Sequence, residues 1–188
     1  DSTTTASSSI LTITSGVSGE SLSLTGSGVL GAASAGTQTV TNNNTLAIAN
    51  GSGLASNYTL SGATINVTII PRTLNVTLSR EYDGTTSVSG ASLTPTFDSL
   101  QGGETLALSG TGSVSTSNVG SSKAVTLGTI ALAAGSGNPS NYTLNSANMN
   151  ITQRVINLDG IRAYDATTNV LSSDINTFGN IVSGETLT

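Results

Sequence analysis

The side chains that could do chemistry in this chain are few, and their types exclude most of it. The 188 residues include ten Asp and Glu, five Lys and Arg and four Tyr, with neither His nor Cys. Without imidazole or thiol there is no Ser-His or Cys-His nucleophile pair, no thiolate or imidazole zinc site, and no group whose ordinary pKa lies near neutrality. Two facing carboxylates could still cleave a glycosidic bond. Here, however, the acids recur at a wide, regular spacing: Glu20, Glu104 and Glu185 each stand between a Gly and a Ser/Thr-Leu pair. Acids distributed in this way do not converge on one site, and the expectation is a protein that is not an enzyme. Five basic residues are also too few to track a phosphate backbone, so no nucleic-acid partner is expected.

Ca²⁺ is the one metal worth weighing, with Glu81, Asp83, Asp98 and Glu104 as its donors. Ca²⁺ takes six to eight oxygens, usually from clustered carboxylates, and no DxDxDG-like run is present. Asp83, ahead of Gly84-Thr85, is better placed to close an Asx turn, so no cofactor is expected. The single lysine, Lys123, has Thr39 as its counterpart in an earlier copy of the repeat described below. It is expected as a solvated cation, not as a partner in a Lys-Asn cross-link. Asn-x-Ser/Thr sequons are numerous in so Asn- and Thr-rich a chain; those at Asn57, Asn66, Asn141 and Asn150 are the candidates for glycosylation.

The elements that carry these residues are strands. Charged residues make up 8% of the chain and aromatic residues 3%, while Val, Ile, Thr, Ser and Gly abound; net charge is only −5. That balance suits pleated strands with small polar outer faces, not a solvated coil. Leu74, Val76 and Leu78 alternate with polar residues, as do Leu106 and Leu108, the period-2 pattern of a half-buried strand. Asp-Gly, Gly-Gly and Gly-Asn-Pro clusters separate such runs, and no stretch has a helical period with caps. No stretch approaches the eighteen apolar residues of a membrane-crossing helix, so membrane insertion is not expected.

The chain repeats itself. GSGLASNYTL (51–60) returns as GSGNPSNYTL (135–144), and Asp83-Gly84-Thr85-Thr86 returns as Asp165-Ala166-Thr167-Thr168 after Asp1-Ser2-Thr3-Thr4. Arg72 pairs with Arg154, Arg80 with Arg162, Tyr58 with Tyr142 and Tyr82 with Tyr164. The tyrosines stand at strand ends, where a ring can cap a core while its hydroxyl reaches backbone or water, so Tyr58, Tyr142, Tyr82, Tyr164, Asp83 and Asp165 are expected as structural anchors. The expected fold is all-β: tandem immunoglobulin-like sandwich modules of about 82 residues, with small β-grasp-like modules as the alternative. The expected division is 1–71, a module without its first strand, then 72–153, complete, then 154–188, the opening of a third. No Gly/Ser linker lies at Pro71-Arg72 or Gln153-Arg154, so a rigid end-to-end rod is expected.

Tyr82-Asp83-Gly84-Thr85-Thr86, then Gly103-Glu104-Thr105-Leu106, Asn118-Val119-Gly120 and Asn141-Tyr142-Thr143-Leu144 together resemble the YDG and MBG-type repeats of large bacterial adhesins. Those are filamentous-haemagglutinin-like exoproteins, often exported by two-partner secretion. Asp1-Ser2 and Asp165-Ala166 depart from the Asp-Gly pattern. The resemblance implies a stalk on the bacterial cell surface or secreted from it, serving adhesion or biofilm, with its receptor or polysaccharide bound outside this stretch and other copies of the repeat as neighbours. It also raises the expectation of glycosylation at the sequons. An absence of cysteine is compatible with an extracellular location. The alternative is a self-assembling extracellular filament, sheath or surface-layer subunit, built by strand exchange between chains.

Overall fold

The structure is a computed structural model that describes residues 3–13 and 17–187. Among them it is all-β, with five 3-10 turns and no α-helix. The first-copy Asp1-Ser2 turn lies outside the described residues. The chain divides into two compact units, each gathered from separate segments. Their outlines cut across the linear blocks of the repeat. The first is Asp1–Leu74 with Ser99–Leu106 and Ala134–Thr143; the second is Asn75–Asp98, Ala107–Ala133 and Leu144–Thr188.

In the first unit, β1 (Thr5–Ser7), β3 (Ser27–Leu30), β4 (Gly36–Asn42) and β6 (Asn66–Ile69) form an antiparallel sheet in the order β1-β3-β4-β6. β2 (Leu22–Thr25) and β5 (Ala47–Asn50) make a separate antiparallel pair. Ala6, Leu30 and Leu46 are buried, while Leu22 and Leu24 are only half-buried. β6 ends the sheet, with one edge unpaired.

The second unit holds most of β7 (Arg72–Glu81), with β8 (Ser87–Ser89), β9 (Thr96–Phe97), β10 (Leu106–Ser109), β11 (Thr111–Val114), β12 (Gly120–Thr126), β13 (Ala131–Ala134) and most of β14 (Tyr142–Thr152). A six-stranded sheet runs β8-β11-β12-β14-β7-β9, and β10 pairs with β13. Tyr82 N donates to Thr152 O (2.9 Å), and seven residues earlier Asn75 Oδ1 accepts from Asn145 Nδ2 (2.9 Å) and Ser146 Oγ (2.7 Å). Both strands therefore run the same way, so the first and last strands of the repeat are parallel neighbours in the middle of the sheet. β15 (Asn157–Gly160) and β16 (Ile175–Gly179) pair antiparallel with each other.

The alternation read from the sequence decides the packing. Leu74, Val76 and Leu78 are 0%, 1% and 0% exposed, and Leu106 and Leu108 are also buried. Val76 and Leu78 meet Leu108, Val125, Ala147 and Met149 in one apolar cluster. Gly110 is the only residue between β10 and β11, and there the chain leaves one sheet for the other. Its φ is +75°, and a Cβ would lie 2.0 Å from Thr129 O, so only glycine fits. Gly26, its counterpart, has φ +77° and the same approach to Thr45 O.

Hydroxyls link segments distant in the chain at exposed positions beside the paired strands. Thr105 N donates to Ser136 Oγ (2.9 Å) and Ser136 N returns to Thr105 Oγ1 (3.0 Å); Ser21 and Ser52 repeat the exchange at 2.8 and 3.1 Å. Thr111 N to Thr129 Oγ1 (2.9 Å) and Ser27 N to Thr45 Oγ1 (3.1 Å) form a second matched set.

Candidate functional site

The anchors predicted from the sequence gather around glutamates. In the first unit Tyr142, 7% exposed, donates its phenol to Glu104 Oε2 and accepts from Gln101 N at 3.1 Å. Tyr58, half-buried, donates to Glu20 Oε2 in the same way. In the second unit Tyr82 donates to Glu185 Oε1. Burial, then the hydrogen bond to Glu104, raises the Tyr142 pKa above the ordinary phenol value. The hydrogen bond to Glu185, then burial, does the same for Tyr82. A neutral phenol beside a carboxylate is a donor, and donation to an ionised acceptor is the stronger kind of hydrogen bond.

Beside Tyr142, Asn141 Oδ1 accepts from Ala35 N at 2.8 Å, and Arg72 donates to Gln101 Oε1 at 3.0 Å. These groups line a small cleft with Ile69 and Ile70. In the second unit Arg154 makes hydrogen bonds to Asn180 O and Oδ1 (both 2.7 Å) and Tyr82 O (3.3 Å), with Glu81 at 3.7 Å. Two connections along the chain are short: Ile70-Pro71 separates β6 from β7, and residues 153–156 separate β14 from β15.

The aspartates form Asx turns. Asp83 Oδ1 accepts from Thr85 N (2.9 Å) and Thr85 Oγ1 (3.0 Å), while Arg80 lies 3.1 Å from Oδ2. Burial by itself would raise the Asp83 pKa; the Thr85 hydrogen bonds and Arg80 outweigh it and hold the group below the usual carboxylate range. Asp165 repeats the turn with Thr167 N and Oγ1 (both 2.9 Å), and those bonds lower its pKa as well. Ala166, at φ +60°, holds the left-handed conformation that Gly84 holds at +75°.

The arginines complete this turn, a role that sequence reasoning missed. Arg80 donates to Thr85 O, Thr85 Oγ1 and Ser87 O; Arg162 donates to Thr167 O, Thr167 Oγ1 and Asn169 O. The signal was present in the constant interval from each Arg to its Asp. The glutamate partners were missed too, although Tyr58–Glu20 and Tyr142–Glu104 span the same 38 residues.

Tyr164 departs from its counterpart. It is 95% exposed, because β15 stops at Gly160 and no strand pairs alongside it, whereas Tyr82 follows a strand held by β14. It therefore caps no core. The carboxylates weighed for Ca²⁺ are held apart: Asp83 by Thr85, Asp98 by Asn75 N and Nδ2 (3.0 and 2.7 Å), Glu104 by Tyr142, and Glu81 near Arg154. Among the described residues no three acidic groups cluster as metal ligands. Lys123 Nζ donates to Thr116 O and Oγ1. Among the sequons, Asn57 and Asn66 are exposed. Asn141 and Asn150 are half-buried, their Oδ1 atoms accepting from Ala35 N and Ser122 N.

A turn of this kind, opened by Tyr82-Asp83-Gly84 and clipped by an arginine, sits inside a stretch that matches a known family model. Residues 66–149 form a YDG domain. The YDG domain begins at β6, takes in the Asx turn, its Arg80 clip and the Tyr142–Glu104 pair, and ends within β14. No curated protein and no solved structure matches the chain. No helix among the described residues is long and apolar enough to cross a membrane.

Proposed function

We propose that this chain is a stretch of the repetitive stalk of a bacterial cell-surface or secreted adhesin, in which repeats set reach and stiffness and the receptor or polysaccharide is bound elsewhere. The observation that supports this reading is repetition of the bonding itself: the phenol–carboxylate bond, the arginine-clipped Asx turn and the hydroxyl exchange recur copy by copy. Glu20, Asp83, Glu104, Asp165 and Glu185 are engaged in the repeat's own bonds and are not gathered as a facing pair for catalysis, and the reading is of a protein that is not an enzyme. The short connections favour modules of an immunoglobulin-like kind following one another as a rod, outside the cell.

Chains of two, four and eight repeats, imaged by negative stain, test the stalk. Equal increments of contour length per repeat are expected; a length that fails to grow with repeat number would overturn it.

A further inference from the structure

Two phenols with the same bond differ in where they send it. Tyr142 reaches back 38 residues to Glu104 in its own copy, whereas Tyr82 reaches forward 103 residues to Glu185, past Arg154, where the repeat starts again. Arg154 crosses the same boundary. It donates to Asn180 O and Oδ1 on its own side, and on the other to Tyr82 O (3.3 Å), with Glu81 Oε1 3.7 Å away. Tyr82 is thus held by the following copy at both its hydroxyl and its carbonyl. At the earlier join Arg72 reaches Gln101, which occupies the place of Val182, so the arginine's hold on this turn recurs.

The glycine of the motif faces the same neighbour. Gly84 has φ +75°, and its counterpart Ala166 takes φ +60°, so the turn itself is built with a Cβ present. At Gly84, however, a Cβ would lie 2.8 Å from Val182 Cγ1. Glycine here makes room for the next copy. Asp83 is turned the other way, onto Thr85 and Arg80. The tripeptide therefore divides its work: the aspartate shapes the turn, and the tyrosine and glycine present it.

We propose that the Tyr82-Asp83-Gly84 turn is the joint between successive repeats, a docking surface whose partner is the following copy's opening arginine, Arg154, and its Val182–Glu185 turn. This deepens the stalk reading and rests on it. In repeat proteins, stability is a sum of terms within each repeat and terms between neighbours, and this turn supplies a neighbour term. A phenol, a main-chain carbonyl and a close apolar contact at one turn hold the next copy in one orientation, as a bare connection of a few residues does not.

Amide hydrogen exchange on the 188-residue chain tests the joint, because it reads local opening segment by segment. Tyr82→Phe and Glu185→Gln are each expected to speed exchange of the β15 and β16 amides about threefold or more and to leave β10 and β13 unchanged. The double variant should be no faster than the faster single one, since both remove one bond. Gly84→Ala should act in the same place, and Val182→Ala in the same chain should relieve it. The joint is overturned by β15 and β16 amides that are unprotected in the unmodified chain, by equal loosening of β10 and β13, by no response in either pair, or by no relief from Val182→Ala. Contour length that grows evenly with repeat number alongside any of those results retires the joint and keeps the stalk. Uneven length with the expected exchange pattern does the reverse.

Discussion

At the scale of single residues, the phenol–carboxylate pair carries the most consequence. Tyr142 and Glu104 are joined by a charge-assisted hydrogen bond under a ring that is nearly buried. Tyr142→Phe keeps the ring and removes the donor, so a loss of about 1–2 kcal/mol in urea unfolding at neutral pH is expected. Tyr164→Phe, at an exposed ring, should change nothing measurable. The Tyr142 pKa is raised in the fold, so the bond's contribution is complete below the ordinary phenol pKa and disappears as pH rises through the folded value. The difference between wild type and Tyr142→Phe should therefore shrink on the alkaline side and stay constant across neutral pH. The tyrosines were legible in the sequence because a large side chain recurring in a chain of small ones is conspicuous. Glu104 was read as a recurring acid and a candidate cation ligand, not as the partner of Tyr142, because nothing local to it reveals a partner 38 residues away.

Among elements, strands were readable and their partners were not. β7 and β10 fall where alternation put them, since a period of two reports one buried face. Which edge meets which is set by long-range hydrogen bonding, and the parallel neighbourhood of β7 and β14 has no mark in either strand. The move from β10 to β11 depends on Gly110, one of 22 glycines and indistinguishable from the others by composition. Gly110→Ala would press a Cβ onto the Thr129 carbonyl and force φ +75° on a side chain that resists it. A loss of about 2–4 kcal/mol is expected by thermal or urea unfolding, against well under 1 kcal/mol for Gly102→Ala, where a Cβ meets open space. Equal effects at the two glycines would remove the reason given for the switch between sheets.

At the scale of the whole molecule, the repeat explains why so little of the chain is free to be a site. Its arginines and tyrosines, with Glu20, Asp83, Glu104, Asp165 and Glu185, were visible as recurring positions, and the structure gives most of them an internal partner. What the repeat could not disclose is where its bonding lapses, as at Tyr164 and along β15, because exposure depends on neighbours and not on the residue's own type.

The hydroxyl exchange beside the paired strands has a consequence of a different kind. Those links, Thr105 with Ser136, Ser21 with Ser52 and Thr111 with Thr129, are between uncharged groups. A surface fastened this way has little for mobile ions to screen. The denaturation midpoint should move by only a degree or two between 20 mM and 1 M NaCl, as read by circular dichroism. The fold would then be equally at home in dilute and concentrated brine, its strength uncoupled from the composition of the water around it.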